Sequence, residues 1–88
     1  MRRNRNETEL IALVLACCEV PKRISTIIRE VNIPHNRLQP MLDRLIAGGL
    51  VSKEEHSEAL YTTTDAGRAF LAEYRRFQKL CDAYAIKA

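Results

Sequence analysis

The sequence predicts a mostly helical α+β domain in which three helices, a β-hairpin and a long closing helix share one core. Three observations carry this. Apolar residues recur at helical spacing through most of the chain, as in Ile24, Ile27, Ile28 and Val31, or Leu38, Leu42, Leu45 and Ile46. From Leu50 the period shortens to two, over Leu50-Val51-Ser52-Lys53-Glu54 and Ala59-Leu60-Tyr61-Thr62-Thr63, with Glu55-His56-Ser57-Glu58 as the polar turn between them. Finally, 88 residues suffice for one modest core and no second domain, while 47% hydrophobic content with Gly 3 and Pro 3 excludes a disordered or linker-like chain.

Each element follows from local chemistry. Asn6-Glu7-Thr8-Glu9 sets an Asn three residues before a Glu, a capping-box-like start for a first helix over residues 7–18. Its stripe of Leu10, Leu13, Val14, Cys17 and Cys18 is widened by Ile11 and Leu15 to a second face, so this helix needs cover on two sides. A long helix from elsewhere in the chain or a second subunit supplies the second cover. Pro21 opens a second helix, Lys22 to Val31, and Asn32 suits the left-handed residue that ends it. The chain restarts at Pro34-His35 for a third helix that Gly48-Gly49 terminates, and two short helices around a three-residue turn read as a helix-turn-helix. Pro40 falls inside the third helix. Either it kinks the helix there, or regular helix begins near Gln39 and Asn36 and Arg37 lie in a turn. Thr64-Asp65 caps the last helix, which runs to about Ala85 and carries Phe70, Tyr74, Phe77, Cys81 and Tyr84 at alternating spacings of 4 and 3, a short heptad seam.

The chain therefore divides into a basic arm (1–6), a helix-turn-helix with hairpin (7–64) and a closing helix (65–88). The stretch Asn32-Ile33-Pro34-His35-Asn36-Arg37-Leu38-Gln39-Pro40-Met41-Leu42-Asp43-Arg44-Leu45-Ile46-Ala47-Gly48-Gly49-Leu50-Val51 resembles the third helix and first wing strand of winged-helix regulators, whose core is L-x-x-L-x-x-x-G-L-[IV]. Tyr61-Thr62-Thr63-Thr64-Asp65-Ala66-Gly67-Arg68-Ala69-Phe70-Leu71 is similar to their wing exit, Y-x-L-T-x-x-G-x-x-F-L. With the extra last helix, the resemblance is strongest to small archaeal winged-helix regulators and nucleoid-associated proteins that dimerise through an antiparallel coiled coil. It implies a winged helix-turn-helix fold, double-stranded DNA as partner, and a homodimer.

Charge agrees with that destination. The net charge of +3 is unevenly spread: residues 1–5 and 21–49 are each +3, residues 6–20 are −3, and the hairpin region 50–64 is −2. In this fold the third helix enters the major groove, which nominates Asn36, Arg37, Gln39 and Arg44, beside Asp43, for bases or the groove wall. Lys22 and Arg23, at the start of the second helix, are placed for phosphates, and Arg2, Arg3 and Arg5 for the backbone or a minor groove. The wing departs from the family pattern, because Glu54, Glu55 and Glu58 outnumber Lys53 and repel phosphate; His56 reads as a plain turn residue. The dimer seam is Phe70, Tyr74, Phe77, Cys81 and Tyr84, supported by Leu71 and Leu80, because such a stripe is larger than a monomer normally exposes.

Other classes are poorly served. Cys17, Cys18 and Cys81 form no C-x-x-C pair and, with His35 and His56, no metal-ligand spacing, so buried reduced thiols, no metal and no cofactor are expected. No nucleophile has a nearby base and no glycine loop cradles phosphate, so an enzyme is not expected. Leu10 to Cys18 is too short to span a bilayer, and Glu7 and Glu9 abut it, which argues against a signal peptide and for a cytoplasmic protein without a membrane segment. The reading is a dimeric winged-helix DNA-binding protein, in the first place a transcription regulator. An architectural nucleoid-associated protein, or a winged-helix interaction module that does not bind DNA, is the alternative.

Overall fold

The computed structural model describes residues 6–55 and 57–86, in the order α1 (Glu7–Cys17), α2 (Ile24–Val31), α3 (His35–Ala47), β1 (Val51–Glu55), β2 (Ala59–Thr63) and α4 (Asp65–Ala83). Arg2, Arg3, Arg5 and His56 lie outside the described residues.

At the head of α1 the Asn6 side chain accepts from the Glu9 N–H at 2.7 Å, which satisfies one orphan donor of the first turn. Leu10, Ala12, Val14 and Leu15 are buried in this helix, and it packs against α2, α4 and β2. Helix α4 of the same chain lies along its Glu9, Ala12, Leu13 and Ala16 side. The carbonyls at its C-terminal end find partners outside the helix: Thr63, far along the chain, donates its Oγ1 to the Leu15 carbonyl at 2.7 Å and its N–H to that of Cys18 at 2.8 Å, and the nearby Lys22 Nζ donates to that of Cys17 at 2.9 Å.

Helix α2 begins at Ile24, two residues later than the apolar pattern predicts. Lys22 is instead paired with Tyr61 through two backbone bonds, Lys22 N–H to Tyr61 carbonyl at 3.0 Å and Tyr61 N–H to Lys22 carbonyl at 2.8 Å, adding a one-residue third rung to the hairpin. Asn32 ends the helix at φ 63, the left-handed conformation that Asn tolerates. Helix α3 is continuous from His35 to Ala47 with Pro40 inside it, so Asn36 and Arg37 sit in its first turn rather than in a preceding loop. Pro40 has no N–H, and the Asn36 carbonyl is left without a helical donor.

Strands β1 and β2 pair antiparallel with Val51 opposite Thr63 and Glu55 opposite Ala59. At the exit from β2, Thr64 caps α4 by accepting from the Gly67 N–H at 3.1 Å, and its own hydroxyl donates to the Gly49 carbonyl at 2.6 Å. Helix α4 closes at Ala83, where the Ile86 N–H returns to the Cys81 carbonyl at 2.7 Å past a left-handed Ala85. The core is one cluster, with Leu10, Val14, Leu15, Ile27, Leu38, Leu42, Val51, Tyr61 and Leu71 among its members.

Candidate nucleic-acid interface

The turn between α2 and α3 is held by Ile33, whose side chain is buried in the core, so the two helices are presented as one rigid unit. Helix α3 divides cleanly. Leu38, Met41, Leu42 and Leu45 are buried, whereas Asn36, Arg37, Pro40, Asp43 and Arg44 face solvent. Among the described residues, Asn36 and Arg37 make no side-chain hydrogen bond or ion pair. They stand in the first turn of α3, the part of a recognition helix that reaches base edges.

The other nominated side chains are engaged within the protein. Gln39 donates along its own helix to Asp43 Oδ1 at 3.0 Å. Arg44 is ion-paired with Glu7 of α1, which ties the outward face of α3 to the head of the first helix. Lys22 Nζ contacts Glu30 Oε1 at 3.3 Å as well as the Cys17 carbonyl, so it serves the C-terminal end of α1 as a fixed cation rather than standing open to phosphate. Arg23 pairs with Glu58 of the hairpin turn at 3.0 Å, and both side chains remain more than half exposed. The hairpin tip is thereby fastened to the entry of α2. The Arg23–Glu58 and Arg44–Glu7 pairs join residues 35 and 37 positions apart, and nothing in the local sequence signals them.

A thiol sits beside the Lys22 cluster. Cys17 Sγ donates to Glu30 Oε1 at 3.2 Å, and burial, reinforced by that carboxylate, pushes its pKa up to about 11; burial next to Cys17 pushes Cys18 to about 12. The hydrogen bonds from Cys17 and Lys22 in turn hold the Glu30 carboxyl below its usual value. The described residues hold no group of three metal-ligating side chains, and no helix among them is long and apolar enough to cross a membrane.

The seam nominated on α4 separates into two faces. Leu71 is only 3% exposed and belongs to the core, Tyr74 packs partly against it, and Cys81 is covered. Phe70, Phe77, Leu80 and Tyr84 point outward, the last three 54%, 51% and 72% exposed. They run along one side of the helix; Leu13 of α1, also exposed, lies by its other flank, in a groove shared with Tyr74, Arg75 and Gln78.

Several solved structures share this arrangement. Sso10a-2, a DNA-binding protein from Sulfolobus solfataricus, superposes with a TM-score of 0.83 at 23% identity over 92% of this chain and 86% of that one. Sco5413, a MarR family transcriptional regulator from Streptomyces coelicolor, matches at 25% identity with a TM-score of 0.73, and Bordetella bronchiseptica BpsR, whose DNA binding is regulated by 6-hydroxynicotinic acid, at 18% and 0.73. Each is covered over 92% of this chain, which spans 59% of Sco5413 and 60% of BpsR. No curated protein matches the chain in sequence. The winged helix-turn-helix family model matches residues 3–82. The chain, with its two-helix unit, its hairpin wing and the closing helix that follows, belongs to the winged helix-turn-helix family.

Proposed function

We propose that this protein is a cytoplasmic homodimer that binds double-stranded DNA with α3 in the major groove and regulates transcription. One observation carries the reading: the first turn of α3 presents Asn36 and Arg37 to solvent with no partner among the described residues, on the segment where positive charge concentrates. Arg37 matches the acceptor edge of guanine and Asn36 the edge of adenine. The DNA binding of Sso10a-2 and BpsR supports the same partner, and the transcriptional role of Sco5413 supports regulation. The outward stripe of Phe70, Phe77, Leu80 and Tyr84 supports a second copy as its cover, because burying it removes a continuous apolar surface from water. Two copies present two recognition helices to two half-sites.

General coating of duplex with little sequence preference is the second reading, favoured by Gln39 being turned to Asp43, which leaves few base-reading side chains per protomer. Selection from a pool of random duplexes, followed by fluorescence anisotropy, tests both. A recovered palindrome bound far more tightly than random duplex, with Arg37→Ala losing that preference, supports the regulator. Even recovery of all sequences favours coating, and no binding at about 50 mM salt, where attraction to phosphate is strong, refutes DNA binding.

A further inference from the structure

Helix α4 has three faces, and only two are accounted for. At 3.6 residues per turn, Gly67, Leu71 and Tyr74 turn toward the core, and Phe70, Phe77, Leu80 and Tyr84 form the outward apolar stripe. The third face carries Arg75, Arg76 and Lys79, three cations within five residues, all exposed. Arg75 and Lys79 pair with no carboxylate among the described residues, and Arg76 reaches Glu73 only at 3.7 Å with both side chains about three-quarters exposed. Arg68, a turn or two earlier, is already committed to Asp65 and the Thr63 carbonyl. Like charges four residues apart destabilise a helix, and among the described residues no carboxylate pairs with Arg75 or Lys79 to offset theirs. Neither the core nor a partner seated on the apolar stripe covers this face.

We propose that Arg75, Arg76 and Lys79 form a second phosphate-binding strip that holds duplex DNA beyond the stretch gripped by α3. The proposal rests on the DNA-binding reading above and extends it to a surface outside the helix-turn-helix. Helix α4 packs on α1 and β2, whereas α3 packs on α2 and β1, so the strip belongs to a different part of the body from the recognition helix. Arg75 and Lys79 are about 6 Å apart along the helix axis, a length that faces about two phosphates of one strand. The apolar residues within this face are alanines, Ala72 and Ala83, and the larger hydrocarbon side chains, Leu80 next to Arg76 and Leu13 next to Arg75, lie along its edges.

The test uses the full chain and the triple variant Arg75→Gln/Arg76→Gln/Lys79→Gln, which keeps good helix formers at exposed positions, with helix content and oligomeric state checked against the parent. The molecule is 47 Å in its longest dimension. A duplex of about 10 base pairs, one turn or about 34 Å, is therefore too short to extend past it, whereas about 40 base pairs does so. On the long duplex the variant is expected to bind about tenfold or more weakly, with a salt dependence shallower by about 0.9 per lost phosphate contact. On the short duplex it matches the parent, and Arg37→Ala weakens both. Unchanged binding of the variant to the long duplex, or equal loss on both lengths, overturns the strip while leaving α3 as the DNA element. Loss confined to anionic phospholipid vesicles overturns it in favour of a membrane surface. Failure of the parent to bind either duplex removes the DNA reading itself.

Discussion

Gly67 occupies the first turn of α4, where helix propensity alone favours Ala by about 1 kcal/mol. The packing reverses that preference. A Cβ on Gly67 lies 2.2 Å from the Leu50 carbonyl oxygen and 2.6 Å from Thr63 Cγ2, against an ordinary contact of at least 3.4 Å. The neighbours must therefore give by 3.4 minus 2.2, or 1.2 Å, on the carbonyl side. They have little room to do so, because the Leu50 carbonyl accepts the Thr64 N–H at 3.0 Å and Thr63 is tied to α1 through both its hydroxyl and its N–H. Overpacking of this kind costs about 1–3 kcal/mol. Loss of the Thr64 bond adds about 1 kcal/mol, and the gain in propensity returns about 1 kcal/mol. Gly67→Ala should destabilise the protein by about 2 kcal/mol, lowering Tm by about 8–16 °C for a domain of this size. Far-ultraviolet circular dichroism melts at one fixed protein concentration read this directly. An exposed control, Ala69→Gly on the same helix, follows propensity and costs about 1 kcal/mol. A Gly67→Ala protein as stable as the parent, or more so, would refute the close approach of α4 to the β1 entry.

Thr63→Val keeps the shape of a buried side chain but removes the only donor that the described residues give the Leu15 carbonyl, so a loss of about 1–3 kcal/mol is expected in urea denaturation. A loss below about 0.5 kcal/mol counts against that bond. Pro40→Ala restores the N–H to α3; about 3 kcal/mol of helix strain, less about 1 kcal/mol for the looser unfolded chain, predicts a gain near 2 kcal/mol, and an unchanged melt contradicts it. The Cys17 pKa of about 11 stands two units above the ordinary 9.0, so below pH 9 its thiolate fraction, and its alkylation rate with it, is expected to be about a hundredfold lower than an ordinary thiol's. Glu30→Gln removes the accepting carboxylate, lowers that pKa and speeds the reaction, as peptide mass spectrometry of iodoacetamide-treated protein will show; rapid labelling of the parent at pH 8 contradicts the burial and hydrogen bond.

Where one residue's neighbours in the chain decide its state, the sequence is legible. Asn6 caps α1, Asn32 ends α2 in the left-handed region, Thr64 caps α4, and the switch to period two at Leu50 locates the hairpin within a residue. The misplaced start of α2 has a different origin. Lys22 carries a helical pattern, yet Tyr61, 39 residues later, claims its backbone. The same limit governs the candidate site. Exposure of Asn36 and Arg37 follows from the apolar period of α3, which fixes the opposite face as core. The state of Lys22, Arg23 and Arg44 depends on Glu30, Glu58 and Glu7, and composition cannot tell a cation awaiting phosphate from one already matched inside the protein. Reading α4 as a single seam likewise merged two faces, one held by the core through Leu71 and Tyr74 and one left outward.

Helix α1 touches α2, α4 and β2, and the carbonyls at its C-terminal end are satisfied by Lys22 and Thr63. It has no complete set of partners until the hairpin has closed over it, so it cannot persist as an isolated segment. Because the two-helix unit packs on one side of it and α4 on the other, opening of either uncovers α1 and weakens the support of the other. If a second copy covers α4 as proposed, slower hydrogen exchange is expected at backbone amides of α3 as well, through α1.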